Sequence, residues 1–364
     1  MPDFSITFHE KEYRYQYTVE RRICSSAGNL LREKGLGGPV IIVTNKLVNS
    51  LHGTSVIESL EGSGYSAHLA EIPDGEQFKT LEWAARLYDW MIESGMERSS
   101  TVLALGGGVI CDLAGFAAAT FLRGIRHVFL PTTLLAQIDA SIGGKVGVDH
   151  REGKNLIGAF HQPVMTLCDP DVLLTLDARQ WACGMAEMIK TALIDNKNLF
   201  EILEEHGPLT AGSDSALLLD VIMRTALIKA SIVSEDPCER GKRAFLNLGH
   251  TLGHALETAT DYRIYLHGEA VSIGLLGACL LSEEMGWLTP DFTERVRRLL
   301  SLHNLPILCG DLDMEKVKRA LRTDKKRDRG LRFVLLRGTG SPEITSAVTE
   351  DMIEKVLLKL QQKQ

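Results

Sequence analysis

The segment Asn247-Leu248-Gly249-His250-Thr251-Leu252-Gly253-His254 places two imidazoles four residues apart, on one face of a helix. His267-Gly268-Glu269 follows at the start of a further helical pattern, and Glu187 precedes Lys190 by three positions in an apolar run. One carboxylate with imidazoles suits zinc or a similar divalent ion, and three protein ligands leave a position open for chemistry. From spacing alone, His250 and His254 are the joint ligands. For any single histidine the plainer reading is a hydrogen-bonded core residue; the cluster favours metal.

Cations recur in the same region. Lys190, Lys229 and Arg243 each sit among apolar neighbours, and a buried cation is costly without a partner. A bound anion is one partner; a nearby Asp or Glu is the commoner one. Ser141-Ile142-Gly143-Gly144-Lys145 invites a P-loop reading that fails twice, at Asp139 for the first glycine and at Val146 for the Ser/Thr. Two glycines beside a lysine still suit a phosphate or carboxylate, and Lys154-Asn155 adds a second donor pair; a solvated loop is the alternative for either. The run from Asp324 through Lys325 and Lys326 to Gly330 reads as a solvated turn. Gly106-Gly107-Gly108 stands between an apolar strand pattern and an apolar helix pattern, where backbone amides can meet a pyrophosphate. The third glycine of the usual dinucleotide fingerprint would fall at Cys111, so a ligand-free tight turn is equally open.

The elements that position these residues change character along the chain. Residues 40–43, 65–72, 101–105 and 128–130 read as strands, alternating with helical patterns reaching 60 and spanning 81–92, 109–121 and 132–142. That alternation predicts a doubly wound parallel sheet with ligands at the carboxyl ends of its strands. After about residue 170 the patterns are helical: 179–194, 200–206, 216–233, 248–258, 270–285, 292–302 and 314–321, with one strand at 332–336. The expected fold is α/β, an N-terminal doubly wound nucleotide-binding domain (1–170) followed by an all-helical domain (171–364). A chain of 364 residues, 45% hydrophobic, has ample core for two domains. A net charge of −7 gives no general attraction to nucleic acid or an anionic membrane. The apolar run 271–281 is too short to span a bilayer, and no signal-like apolar core opens the chain. Seven scattered cysteines without C-x-x-C spacing fit a reduced, cytoplasmic protein.

Residues 106–123 (GGGVICDLAGFAAATFLR), 131–147 (PTTLLAQIDASIGGKVG), 153–163 (GKNLIGAFHQP), 184–190 (GMAEMIK), 247–254 and 266–270 (LHGEA) together resemble the 3-dehydroquinate synthase family. The likeness runs from about 73 to 286, and more thinly to 336. It implies a two-domain fold, NAD, one divalent ion (Zn or Co) and a homodimer. It also implies a substrate, 3-deoxy-D-arabino-heptulosonate 7-phosphate, that is transiently oxidised, loses phosphate by elimination, is reduced again and closes to a carbocycle by an aldol step. Residue by residue, it implies Glu187, His250 and His267 as metal ligands, which moves His254 to the substrate. It puts NAD against Asn45, Glu76, Lys79, Gly107, Gly108, Val109, Asp112, Thr132, Thr133, Lys154 and Thr175. The substrate would meet Lys145, Asn155, Asn247 and His254 at its phosphate end and Lys229 and Arg243 at its carboxylate end. Lys190 and Asp139 would lie near the ring hydroxyls and the metal, and Lys325 or Lys326 would also meet the substrate. Arg123 would reach the neighbouring subunit's phosphate pocket.

The chain departs from the family pattern at Val146, Asp149 and Cys183, none of which removes a charged group. Three rivals remain: another sugar-phosphate cyclase making an inosose or valiolone-like ring, an alcohol dehydrogenase of the glycerol-dehydrogenase kind, and a non-catalytic NAD-binding regulator. The Lys229/Arg243 pair argues against the first, because its substrates carry no carboxylate. The intact Glu187, His250, His267 and Lys190 set argues against the last.

Overall fold

The computed structural model describes residues 13–310, 312–327 and 331–361, with backbone alone for 323–327. Strands and helices alternate through the first half. The strands are β1 (Gln16–Val19), β2 (Val40–Asn45), β3 (Ala67–Ile72), β4 (Thr101–Gly106), β5 (Arg126–Pro131), β6 (Lys145–His150), β7 (Gly153–Phe160) and β8 (Met165–Cys168). Between them run α1 (Ala27–Glu33), the single turn α2 (Lys46–Val48), α3 (Thr54–Gly62), α4 (Leu81–Glu93) and α5 (Gly108–Thr120). Six strands in the order β1-β8-β5-β4-β2-β3 form one sheet, and every neighbouring pair is parallel. β2 shows why its sequence is apolar throughout. Ile41 and Val43 pack with α4 and α5 on one face, Val40 and Ile42 with α1 and α3 on the other. A parallel strand covered on both faces has no polar side to alternate with.

Two strand pairs were not anticipated. β6 and β7 form an antiparallel hairpin in which Gly147 faces Gly158. Its glycines gave it the look of a loop, yet it holds Lys145 on paired backbone, with Lys154 and Asn155 at the irregular step between the Gly153 and Ile157 pairs. β1 and β8 add an edge to the parallel sheet; each is only four residues long.

The second half is built from α6 (Ala178–Asp195), α7 (Lys197–Glu205), α8 (Ser215–Glu235), α9 (His250–Ala259), α10 (His267–Glu284), α11 (Pro290–Leu302), α12 (Met314–Arg327) and α13 (Glu350–Gln361). It is not all-helical. β9 (Phe333–Leu336) pairs antiparallel with β10 (Pro342–Thr345), and β9 is buried at every position in the helical core. β10 starts on proline and shows no apolar alternation, so it left little trace in the sequence. The charge run also departs from its expected turn: residues 324–327 continue α12, as good helix formers can with no glycine or proline before Gly330. Residues 328–330 lie outside the described chain.

α10 touches α6 and α9 at glycines. A Cβ on Gly268 would stand 2.3 Å from Cys183 Cα, and one on Gly274 would stand 2.0 Å from the Gly249 carbonyl oxygen. Only hydrogen fits at either crossing, so these contacts set the spacing of the helices that carry Glu187, His250 and His267.

His303, just past α11, is buried, and its Nε2 has no hydrogen-bond partner among the described residues. Burial lowers its pKa to about 4, against about 6.5 in an unfolded chain. Between those values the unfolded state binds more protons, so stability falls as pH drops from about 6.5 toward 4. His303→Leu is expected to raise the urea midpoint at pH 5 relative to wild type and to change it little at pH 8. An equal shift at both pH values would show an imidazole that titrates normally.

Candidate active site

Glu187 lies on the inner face of α6 and is 1% exposed. His250 opens α9 and His267 opens α10. His250 Nε2 stands 3.7 Å and His267 Nε2 3.5 Å from Glu187 Oε1. Those distances are long for hydrogen bonds. Donors 2.0–2.1 Å from a tetrahedral zinc stand about 3.3 Å apart, which is close to what is seen. The tautomers agree: Leu248 O lies 3.2 Å from His250 Nδ1, so Nε2 keeps its lone pair. Among the described residues neither Glu187 oxygen accepts a hydrogen bond, although the Lys190 ammonium is ion-paired with it.

Electrostatics also put positive charge at this point, as a proton on His267 that a bound cation would replace. Burial, then the Lys190 charge, pulls His250 down to about 3, leaving a neutral imidazole. Burial opposes charge on His267, but Glu187 and Glu257 on its two nitrogens outweigh it and raise the imidazole to about 10. Burial likewise opposes charge on Glu187, and Lys190 with the two imidazoles holds it well below its usual range. A buried anion facing two imidazole nitrogens is a cluster that fits a cation at its centre.

The cluster opens on a cleft of about 1560 Å³ that also runs along the carboxyl ends of β2, β4 and β5. Gly107 precedes α5 and, as a glycine at the N-cap, offers no side-chain cap of its own, so the first amides of the helix can meet an anion. Asn45, Glu76, Lys79, Gly107, Gly108, Val109, Asp112, Thr132, Thr133, Lys154 and Thr175 all line this end. Lys79 is held by Glu76 at 2.8 Å, Asp112 at 3.3 Å and Asp149 at 3.6 Å, and it donates to Asn155 Oδ1 at 2.8 Å. Asp149, where the family pattern differs, thus joins this ion cluster and accepts the Asn155 amide at 2.8 Å. Burial lifts Asp112 to about 6 despite Lys79.

At the other end, Lys229 donates to Asp139 Oδ1 at 2.8 Å and to its carbonyl at 2.7 Å, with Lys190 at 4.0 Å from the same carboxylate. Arg243, 1% exposed, donates to the Pro237 and Gly143 carbonyls at 2.6 and 3.1 Å. Lys145 and Asn247 meet on Glu239: the lysine is ion-paired with it, and Asn247 Nδ2 donates to Oε1 at 2.9 Å. His254 faces the cleft beside His250 and His267, with ring centroids 5.3 and 6.0 Å away. Asn155 lies with Lys79, at the dinucleotide end. Arg123 is elsewhere, lining a separate cavity with Arg98 and Arg126. Lys325 and Lys326 are on α12, with side chains outside the described residues. Cys183 is pushed up to about 12 by burial, which keeps it in the thiol form.

Two acids escaped the sequence reading. Glu239 sits in a loop with no periodic signal. Glu257 had one: His250, His254 and Glu257 occur at i, i+4 and i+7 of one helix.

Residues 69–183 match the family model described as 3-dehydroquinate synthase N-terminal, and 184–327 the model described as 3-dehydroquinate synthase C-terminal. A 3-dehydroquinate synthase of Geotalea uraniireducens (strain Rf4) is 43% identical over 357 residues, 98% of this chain and 99% of that one. The solved 2-epi-5-epi-valiolone synthase of Streptomyces hygroscopicus subsp. jinggangensis 5008, with NAD+ and Zn2+ bound, superposes with a TM-score of 0.90 at 34% identity, covering 98% and 99% of the two chains. A 2-deoxy-scyllo-inosose synthase complexed with carbaglucose-6-phosphate, NAD+ and Co2+ gives 0.86 at 26%, covering 95% and 96%. The parallel sheet and the helical half sharing one cleft are thus the fold of these two solved sugar-phosphate cyclases. Within that class, the chain belongs to the 3-dehydroquinate synthase family.

Proposed function

We propose that the chain converts 3-deoxy-D-arabino-heptulosonate 7-phosphate to 3-dehydroquinate and phosphate, as an NAD- and divalent-metal-dependent lyase. The observation that carries this is one cleft with a glycine-rich helix start at one end and the Glu187, His250, His267 cluster at the other. When bound, the dinucleotide supplies a reversible hydride acceptor and the ion a Lewis acid. Residues 1–170 would form the dinucleotide-binding domain and 171–364 the metal- and substrate-binding domain.

The side chains orient the substrate and neutralise its charge. Lys229 and Arg243 take the carboxylate end. Lys145, Asn247 and His254 take the phosphate end, where Glu239 must yield Lys145 and Asn247 to the incoming anion. Asn155 would turn from Lys79 to join them. Lys190 and Asp139 face the ring hydroxyls; the ammonium, buried between Glu187 and Asp139, stabilises oxygen anions as they form. Arg123 acts across a homodimer interface, consistent with its position away from its own cleft.

The net reaction releases phosphate and leaves the dinucleotide unchanged. Simultaneous assays are expected to show stoichiometric phosphate release with no lasting absorbance of reduced cofactor. Net NADH without phosphate would instead establish a dehydrogenase, and preferred turnover of glucose 6-phosphate or sedoheptulose 7-phosphate would establish one of the other cyclases.

A further inference from the structure

Glu257 has no place in the roles above, yet it is 1% exposed and lies directly behind the metal cluster. Its Oε1 stands 3.5 Å from His267 Nδ1 and accepts from Lys154 Nζ at 3.2 Å. His267 Nε2 points the other way, 3.5 Å from Glu187 Oε1. Lys154 comes from β7, lies 3.7 Å from Glu76 and rests 4.6 Å from the Tyr262 ring. A carboxylate this deep is tolerated only with charged or hydrogen-bonding partners, and Glu257 has two, one from each half of the cleft.

We infer that Glu257 is a positioning residue that ties the metal site to the dinucleotide site. With an ion on Nε2, the His267 proton is left on Nδ1, where the Glu257 carboxylate faces it at 3.5 Å as a counter-charge while anchoring the Lys154 ammonium beside the dinucleotide. The inference rests on the metal reading of the Glu187 cluster. A carboxylate behind a ligating histidine fixes the tautomer and raises the basicity of the ring, and its loss commonly weakens metal binding 10- to 100-fold. His254, Glu257 and His267 are also close enough to hold an ion of their own. The Lys154 ammonium on the same Glu257 oxygen argues against that, since it would repel a second cation.

The test uses metal-free full-length protein, Co2+ as the probe ion and NADH as the probe dinucleotide. Glu257→Gln preserves volume, and far-UV circular dichroism with melting of the metal-free forms checks the fold. The expected result is one equivalent of Co2+ in wild type, and a 10- to 100-fold weaker affinity with an altered visible spectrum in Glu257→Gln. NADH should bind the variant at least about threefold more weakly. Adding Glu257→Gln to Lys154→Met should cost NADH affinity no further, because Glu257 reaches the dinucleotide only through Lys154. Wild-type cobalt affinity and spectrum in Glu257→Gln would overturn the inference alone. So would a second equivalent of cobalt that vanishes in the variant, since that would make Glu257 a ligand. If wild type itself takes up no cobalt, the metal reading falls and this inference with it.

Discussion

Glu187→Gln is expected to lose tight divalent-metal binding and to slow turnover by about a thousandfold or more, roughly 4 kcal/mol of transition-state stabilisation. Glutamine fills the same volume but brings no charge, and a site with three protein ligands has none to spare. Among the described residues, the other carboxylate beside a cluster histidine is Glu257, which faces the far nitrogen of His267. The substitution has a second consequence. Lys190 is 1% exposed and its charge is met by Glu187 and, more distantly, by Asp139 at 4.0 Å. Removing one partner of a buried pair costs about 3–5 kcal/mol, so the metal-free variant should also melt earlier than metal-free wild type. Glu187→Gln with Lys190→Met separates the effects: the fold should regain stability while metal binding stays lost. Metal content, cobalt spectroscopy and melting curves are the readouts. A Glu187→Gln protein that retains one tightly held ion and full activity would remove Glu187 from the ligand set.

The residues of this site differ in how far the chain alone exposes them. The parallel strands were readable because a strand covered on both faces is apolar at each position, as β2 is. The glycine-rich turn was readable equally as a tight turn or a binding loop, because its third glycine is missing. The ligand set shows the limit most clearly. His250 and His254 share a helix, so spacing pairs them. The partners His250 meets at Glu187 Oε1 are supplied by α6 and α10, and no local period links three helices brought together by glycine contacts at Gly268 and Gly274. Family resemblance supplied what periodicity could not, and it pointed to the same three side chains that the fold brings together. It did not point to Glu257 or Glu239, whose significance is visible only once Lys154, His267, Lys145 and Asn247 are seen converging on them. The β6–β7 hairpin was hidden for the opposite reason: glycine, normally a mark of loops, here allows close pairing of two strands.

Arg243→Met is expected to lower kcat/KM for the sugar-acid phosphate by about 10²- to 10³-fold, and to lower activity on a carboxylate-free analogue such as sedoheptulose 7-phosphate far less. The guanidinium is buried, and burial holds its pKa below the ordinary arginine value. The hydrogen bonds described for it go to two neutral carbonyls, those of Pro237 and Gly143. Arginine has five donors, so others remain for a ligand, and an arriving carboxylate would supply the counter-charge that two carbonyls cannot. A hydrogen bond between charged groups contributes about 1.5–3 kcal/mol, and a bidentate contact about twice that, which sets the size of the expected loss. Arg243 also has structural work in tethering Gly143, beside Lys145, to the loop at Pro237, so a fall in activity by itself says little. The ratio between the two substrates isolates the carboxylate: tethering affects both alike, recognition only one. An equal fall on both would make Arg243 a structural residue. Lys229 offers a built-in comparison, because its ammonium is already held by Asp139 through both a side-chain and a backbone oxygen. Lys229→Met should therefore give a smaller discrimination ratio than Arg243→Met, since part of its charge is satisfied before any ligand arrives.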